Sequence, residues 1–314
     1  METPTRNPAA AAGAAAATRT KRPAWRRRQA LIAWAFALPF SALFLVFMIG
    51  PLVASLLLSV TDMTARDMRD PLAVAFVGVD NFVTLFQDDK FQAAILNTIY
   101  FVGVGVPLTI VVSLLIAMAL NNGIRRFRAV FRVGFYTPVV TSIVAIAVVW
   151  KYILEPDGLL NQALSGIGIS GPDWLHDTHF AMPSLIFMAM WRNMGTLMII
   201  FLAGLQGVPT EVYEAAKVDG ASAFQRFYGL TLPLMRPTIL LGVVLISVYY
   251  FQFFEEAFVM TGGGPLDSTL SITYFTYNQF GYGNYGLASA ASYVLALTIG
   301  LVTLLQFRFL RSKG

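Results

Sequence analysis

Three ionisable side chains sit inside otherwise apolar stretches of this sequence: Arg192, flanked by Trp191 and Asn193, and the adjacent pair Glu255 and Glu256. An ionised group at the middle of a bilayer costs about 2.5–3.5 kcal/mol on insertion scales, so such residues seldom face lipid. The acidic pair follows Tyr249, Tyr250, Phe251, Gln252, Phe253 and Phe254. Aromatic rings beside hydrogen-bonding groups suit a sugar, whose ring faces stack while its hydroxyls need partners. An interfacial aromatic belt with a buried ion pair to Arg192 accounts for the same pattern, and the residues alone leave both readings open. With Asn97 near the start of an earlier apolar stretch, the candidates for a solute pathway are Asn97, Trp191, Arg192, Asn193, Tyr249, Gln252 and Glu255.

No set of residues points to catalysis, and neither a cofactor nor a metal is expected. A phosphate loop of the form GxxxxGK[ST] is missing; Gly262, Gly263, Gly264 and Pro265 match it only in glycine content and read as a turn. His176 and His179 flank Asp177 at a spacing a metal could use, but no third strong ligand is near, so a solvated loop is the better reading. Met182, Met188, Met190, Met194 and Met198 read as adaptable packing within a helix.

The longest polar segment of the second half, Glu211 to Pro237, reads as two short helices joined by a sharp turn. Thr210 suits an N-cap, and Glu211 suits the positive end of the helix dipole. Asp219-Gly220 stops the first helix, since glycine tolerates the left-handed conformation of a C-terminal turn. Ser222 and Gln225 have capping-box spacing and restart a helix. Pro233 and Pro237 are expected to end it, for want of an amide hydrogen. A compact helix pair between two membrane spans can transmit force to something outside the bilayer.

Around these residues the chain is 57% hydrophobic and 12% charged, about half the charge of an average soluble domain. The expected fold class is all-α: a polytopic membrane protein with spans at about 31–60, 93–120, 133–154, 182–205, 238–260 and 287–310. Residues 1–29 read as a disordered basic tail, because an alanine run without larger apolar partners buries no core, and 30–314 as the transmembrane domain with a polar loop at 207–237. With the N-terminus inside, the cytoplasmic segments carry 17 Lys/Arg against 4 on the external side. The positive-inside rule therefore assigns both termini and the 207–237 loop to the cytoplasm. That same distribution explains the net charge of +5 without nucleic acid. The absence of cysteine excludes structural disulfides and thiolate metal sites. In the sixth span Ala288, Ser292, Ala296 and Gly300 form a ridge of small residues suited to close helix packing within or between subunits.

At the polar loop the sequence resembles the permease subunits of ATP-binding-cassette importers. Glu214-Ala215-Ala216, then Gly220, Leu230, Leu232 and Pro233 fall without a gap on that family's Glu-Ala-Ala signature. Further likeness to the carbohydrate branch, of maltose and glycerol-phosphate type, rests on four local patterns. These are Asn97-Thr98; Tyr136-x-Pro138 with Gly158-x-x-Asn161; Ala203-Gly204-Leu205-Gln206; and Phe254-Glu255 with Thr261-x-Gly263-Gly264-Pro265. Glu255 departs from the family's usual Asp. The resemblance spans about residues 30–312 and implies a multi-pass cytoplasmic-membrane subunit that hydrolyses nothing itself. It also implies the partners: a second related permease, two ATPase subunits and an extracellular binding protein or lipoprotein, besides membrane lipid. Glu214, Ala215, Ala216, Asp219, Gly220 and Pro233 would then couple the chain to the ATPase, and alternating access would move a di- or oligosaccharide, with glycerol-phosphate compounds or polyols as the second choice. Two other classes compete. An ion-coupled carrier finds its only support in Glu255-Glu256, because no repeat of two halves is visible. A membrane enzyme lacks any convergent catalytic set.

Overall fold

A computed structural model describes residues 24–70, 74–122 and 127–310. Among them the backbone is helical throughout its regular parts, with a single isolated bridge from Thr61 to Phe76. Of the tail expected at 1–29, residues 1–23 lie outside the described part, and 24–29 form the first turns of α1 (Ala24–Phe44). Arg26, Arg27, Arg28 and Gln29 are of good helix-forming types, so the apolar helix propagates back through them.

Two units are described separately, one up to Ala54 and one from Ser55 onward. In the first, α1 runs through a π-helical turn (Leu45–Ile49) into α2 (Gly50–Ser59), with Pro39 inside α1. In the second, the elements are α3 (Asp80–Gln87), α4 (Asp89–Asn122), α5 (Arg128–Val140), α6 (Ile143–Leu154), α7 (Leu159–Ser165) and α8 (Ala181–Gln206). They continue with α9 (Thr210–Val218), α10 (Ala223–Arg226), a π turn (Phe227–Thr231), α11 (Leu232–Phe251), α12 (Glu255–Met260), α13 (Ile272–Gly281) and α14 (Tyr285–Leu310). Among the described residues five helices are long and apolar enough to cross a bilayer, and six if a bent pair counts as one span.

The core is the packing of α4 against α8, around Phe101, Leu185, Met188, Leu197, Met198 and Phe201. The fourth-span methionines Met182, Met188, Met190, Met194 and Met198 are all buried, and Met182, Met188 and Met198 belong to that core. Helices α5 and α11 pack around this pair, and α14 packs in turn against α11 and α13. Glycine allows two of the close approaches. A Cβ on Gly195 would collide with the Phe135 carbonyl of α5, and one on Gly204 would meet Thr238 of α11 at 2.8 Å. Gly204 is therefore a seat for the next helix. Of the expected ridge on α14, only Ala288 is buried; Ser292, Ala296 and Gly300 stay exposed, while Ala290 and Ala291 supply the buried contact.

Two expected spans are not continuous. The third, read as 133–154, breaks at Thr141-Ser142, where the helices on either side diverge by 99°. Pro138 withholds one amide hydrogen and Thr141 and Ser142 adopt extended ψ angles of 147° and 127°, so the helix cannot carry through. The fifth, read as 238–260, ends at Phe251 and resumes as α12 after a short break. The two segments that follow these breaks, α6 and α12, pack against each other.

Prolines elsewhere are absorbed. Pro233 and Pro237 do not end a helix as expected: Pro233 lies in the first turn of α11 and Pro237 within it. The π turn ahead explains this. Leu232 N–H bonds to the Phe227 carbonyl five residues back, and the widened turn makes room for the proline ring that follows. Gly50 N–H bonds to the Leu45 carbonyl in the same way immediately before Pro51.

Candidate functional site

Helix α9 begins at Thr210 itself, led in by Pro209, and no side chain caps it; the expected Thr210 cap is not formed. Pro209, with φ −58° and ψ 134°, already turns the chain into the helix. The C-terminal end follows expectation. Ala221 N–H bonds to the Ala216 carbonyl at 2.9 Å and Gly220 N–H to the Lys217 carbonyl at 3.1 Å, the paired bonds of a Schellman turn. Gly220 carries φ +77°, the left-handed region, and a Cβ placed there would meet nothing within 4 Å. Helix α10 starts on the expected capping box: Ser222 Oγ accepts from Gln225 N–H at 3.2 Å, and Gln225 Oε1 accepts from Ser222 N–H at 2.7 Å.

The pair is braced to the span that follows. The Thr231 hydroxyl donates to the Arg226 carbonyl at 3.3 Å, which leaves the Tyr213 hydroxyl to donate to Thr231 at 3.0 Å. Tyr213 lies on α9 and buried Thr231 in the π turn, so the first short helix is tied to the base of α11. Glu214, Ala215, Asp219 and Gly220 are exposed around the turn, while Ala216 and Pro233 are half-buried. Exposed apolar groups stand beside them: Val218 at 88%, Phe224 at 70% and Tyr228 at 55%, with the Phe224 and Tyr228 rings 4.4 Å apart. Sequence reasoning missed these three. Their signal was apolar residues on a segment otherwise too polar to enter lipid.

Among the pathway candidates, Arg192 and Tyr249 come together: Arg192 Nη1 donates to the Tyr249 hydroxyl at 2.9 Å. The guanidinium also stands 5.9 Å from the Tyr249 ring centre. Glu256 lies within electrostatic range of both, and Glu255 within range of Tyr249 and Glu256. No ion pair joins Arg192 to either glutamate among the described residues; of the two readings left open, the buried pair is not formed, and the guanidinium meets the tyrosine instead. Glu256, outside the expected set, is 1% exposed, and neither carboxylate oxygen has a hydrogen-bond partner. Glu255, by contrast, is half-buried at the first residue of α12.

The remaining candidates make contacts within the chain. Asn97 donates to the carbonyls of Asp267 and Leu270 at 2.7 and 3.0 Å, pinning the Gly-rich loop to α4. Thr98 extends this contact by accepting from Ile272 N–H at 3.2 Å. Trp191 meets Trp150 edge-on at 5.6 Å, across to α6. Asn193 is buried and donates to the Ala189 carbonyl at 2.8 Å, and Gln252 caps α11 while donating to the Val248 carbonyl at 2.9 Å. His176 Nδ1 lies 2.9 Å from the Asp173 carboxylate on an exposed loop.

These features define a multi-span permease: a helical membrane bundle with interrupted spans and a polar helix pair presented at one end. The chain belongs to the family of binding-protein-dependent transport system inner membrane components, whose model matches residues 89–312. It is 36% identical over 300 residues to the lactose transport system permease protein LacF of Rhizobium radiobacter, covering 94% of this chain and 99% of that protein. It is 32% identical to the trehalose/maltose transport system permease protein MalF of Thermococcus litoralis, covering 90% and 96% respectively. A solved bacterial alginate ABC transporter, in complex with a periplasmic protein bound to an alginate pentasaccharide, contains a chain that superposes with a TM-score of 0.76. That chain is 25% identical, with 92% of this chain and 98% of that one covered. This protein is thus a multi-pass membrane subunit of an ABC importer.

Proposed function

We propose that this chain moves an oligosaccharide through the membrane, driven by a separate ATPase subunit that grips the Thr210–Thr231 helix pair. One observation carries the coupling role: exposed Val218, Phe224 and Tyr228 surround the left-handed Gly220 turn, on a pair braced to α11. Apolar groups that face neither core nor lipid suit a groove on another protein. Glu214, Ala215, Ala216 and Asp219 would form the contact, and Pro233, with the π turn ahead of it, would pass its movement to the span. The sugar class follows from the lactose and trehalose/maltose relatives and the alginate transporter. Arg192, Tyr249 and Glu255 lie beside the helix break of the fifth span, a place where interrupted helices in transporters meet their solute. A second permease chain, paired ATPases and an external binding protein complete the working assembly.

Because the chain has no cysteine, Val218→Cys and Tyr228→Cys each provide a unique attachment point. In the intact assembly, a short thiol crosslinker is expected to join either position to the ATPase subunit, with ATP altering the yield. Labelling of these cysteines by a membrane-impermeant reagent from outside the cell would sink the proposal.

A further inference from the structure

Behind the helix pair, the chain surrounds a cavity of about 1010 Å3, bounded by the ends of α4, α5 and α8 and by α9, α10 and the π turn. Cationic side chains reach its wall from three elements, namely Arg128 of α5, Lys217 of α9 and Arg226 of α10, against one carboxylate, Glu214. None of the three cations pairs with a carboxylate among the described residues, where the one ion pair is His176 with Asp173. Arg128 Nη2 donates to the Asn121 carbonyl at 2.8 Å and Arg226 Nη1 to the Ala221 carbonyl at 2.6 Å. Both contacts engage neutral acceptors, so neither balances the charge of its guanidinium. The Arg128 Nε is buried and has no acceptor among the described residues. A buried charged donor left unmade is costly, and an anionic oxygen held beside Arg128 would relieve that cost. Met118 and Phe227 add an apolar portion to the same wall.

A ligand that satisfies both parts has acceptor oxygens bearing negative charge at one end and carbon at the other. We infer that the cavity holds the headgroup of an anionic phospholipid, its phosphate between Arg128, Lys217 and Arg226 and its glycerol carbons against Met118 and Phe227. The location fits. Basic pockets among helix ends on the side rich in Lys/Arg meet the leaflet where anionic lipids concentrate, and each basic group there contributes about 1 kcal/mol. A phosphate so held would join α9 and α10 to the ends of α4 and α5, so lipid composition would set how firmly the pair is fixed. The inference concerns binding, and stands whether or not the transported solute is a sugar.

The test is native mass spectrometry of the full chain in a neutral maltoside detergent, titrated with palmitoyl-oleoyl phosphatidylglycerol or with the phosphatidylcholine of the same chains. Phosphatidylglycerol is expected to bind at least tenfold more tightly. Arg128→Gln with Arg226→Gln should erase that preference, each cation removed costing about fivefold. Arg236→Gln, on an exposed residue outside the cavity, should keep it. Lys217→Gln serves if the double variant fails to fold: its side chain is exposed, and about fivefold weakening is expected. Equal binding of the two lipids, an equal loss in Arg236→Gln, or an unchanged preference in Lys217→Gln would overturn the inference. Displacement of phosphatidylglycerol by equimolar inorganic phosphate would overturn it too, by making the free anion the ligand.

Discussion

Gly220 shows how one residue separates backbone need from partner contact. Its φ of +77° excludes most side chains, while the space around a Cβ is open within this chain. A left-handed residue other than glycine costs roughly 1–2 kcal/mol, least for Asn. Gly220→Val is therefore expected to abolish uptake while the protein still inserts, and Gly220→Asn to retain most of it, as measured by radiolabelled solute uptake beside membrane-fraction immunoblots. If Asn fails as completely as Val, the vacancy is filled by a partner and the turn's conformation is not the reason for glycine. Glu256 makes a second residue-scale case. Its carboxylate is buried with both oxygens unpartnered, and an unpaired buried carboxylate is worse than a neutral isostere. Glu256→Gln should leave the fold intact and stabilise it by about 1–3 kcal/mol, read as a higher melting temperature of the purified chain. A lower one would mean that the carboxylate has a partner in the assembled state.

At the scale of elements, the π turn at Phe227–Thr231 and the glycine seats set the spacing between helices. Gly204 brings α8 against α11 at Thr238, and a Cβ there would already sit 2.8 Å from that side chain. Overpacking of this kind costs about 1–3 kcal/mol, so Gly204→Leu should lower the yield of folded chain in mild detergent, measured by size-exclusion chromatography. Thr238→Ala in the same chain should recover part of the loss. A monodisperse, fully stable Gly204→Leu protein would show that α8 and α11 are not in register through this glycine. The broken spans belong to this scale as well. The prolines were legible, but not whether each would bend, break or be absorbed, because that depends on the backbone neighbours. Pro233 is accommodated by a turn widened to five residues. Pro138 instead precedes two extended residues, and the chain departs by 99°.

The whole molecule distinguishes an ATP-driven pump subunit from a self-sufficient carrier. Proteoliposomes holding this chain alone are expected to accumulate neither labelled lactose nor maltose under an imposed ion gradient, and ATP should drive uptake only when the other subunits are present. Gradient-driven uptake by the lone chain would return the carrier reading.

Composition and short-range pattern settled the membrane class, the helical content and the turn at Gly220. These depend on hydrophobic length, the run of Lys/Arg and local backbone sterics, all written in consecutive residues. Ser222 and Gln225 are legible for the same reason, three positions apart on one helix start. Other roles arise from neighbours remote in the chain. Asn97 holds the loop 170 residues later, Arg192 donates to Tyr249, and Arg128, Lys217 and Arg226 line one cavity. In a bilayer, apolar side chains gain little by choosing one neighbour over another. Which helices meet is decided by close packing and by polar groups finding partners across them, and those are properties of the assembled bundle.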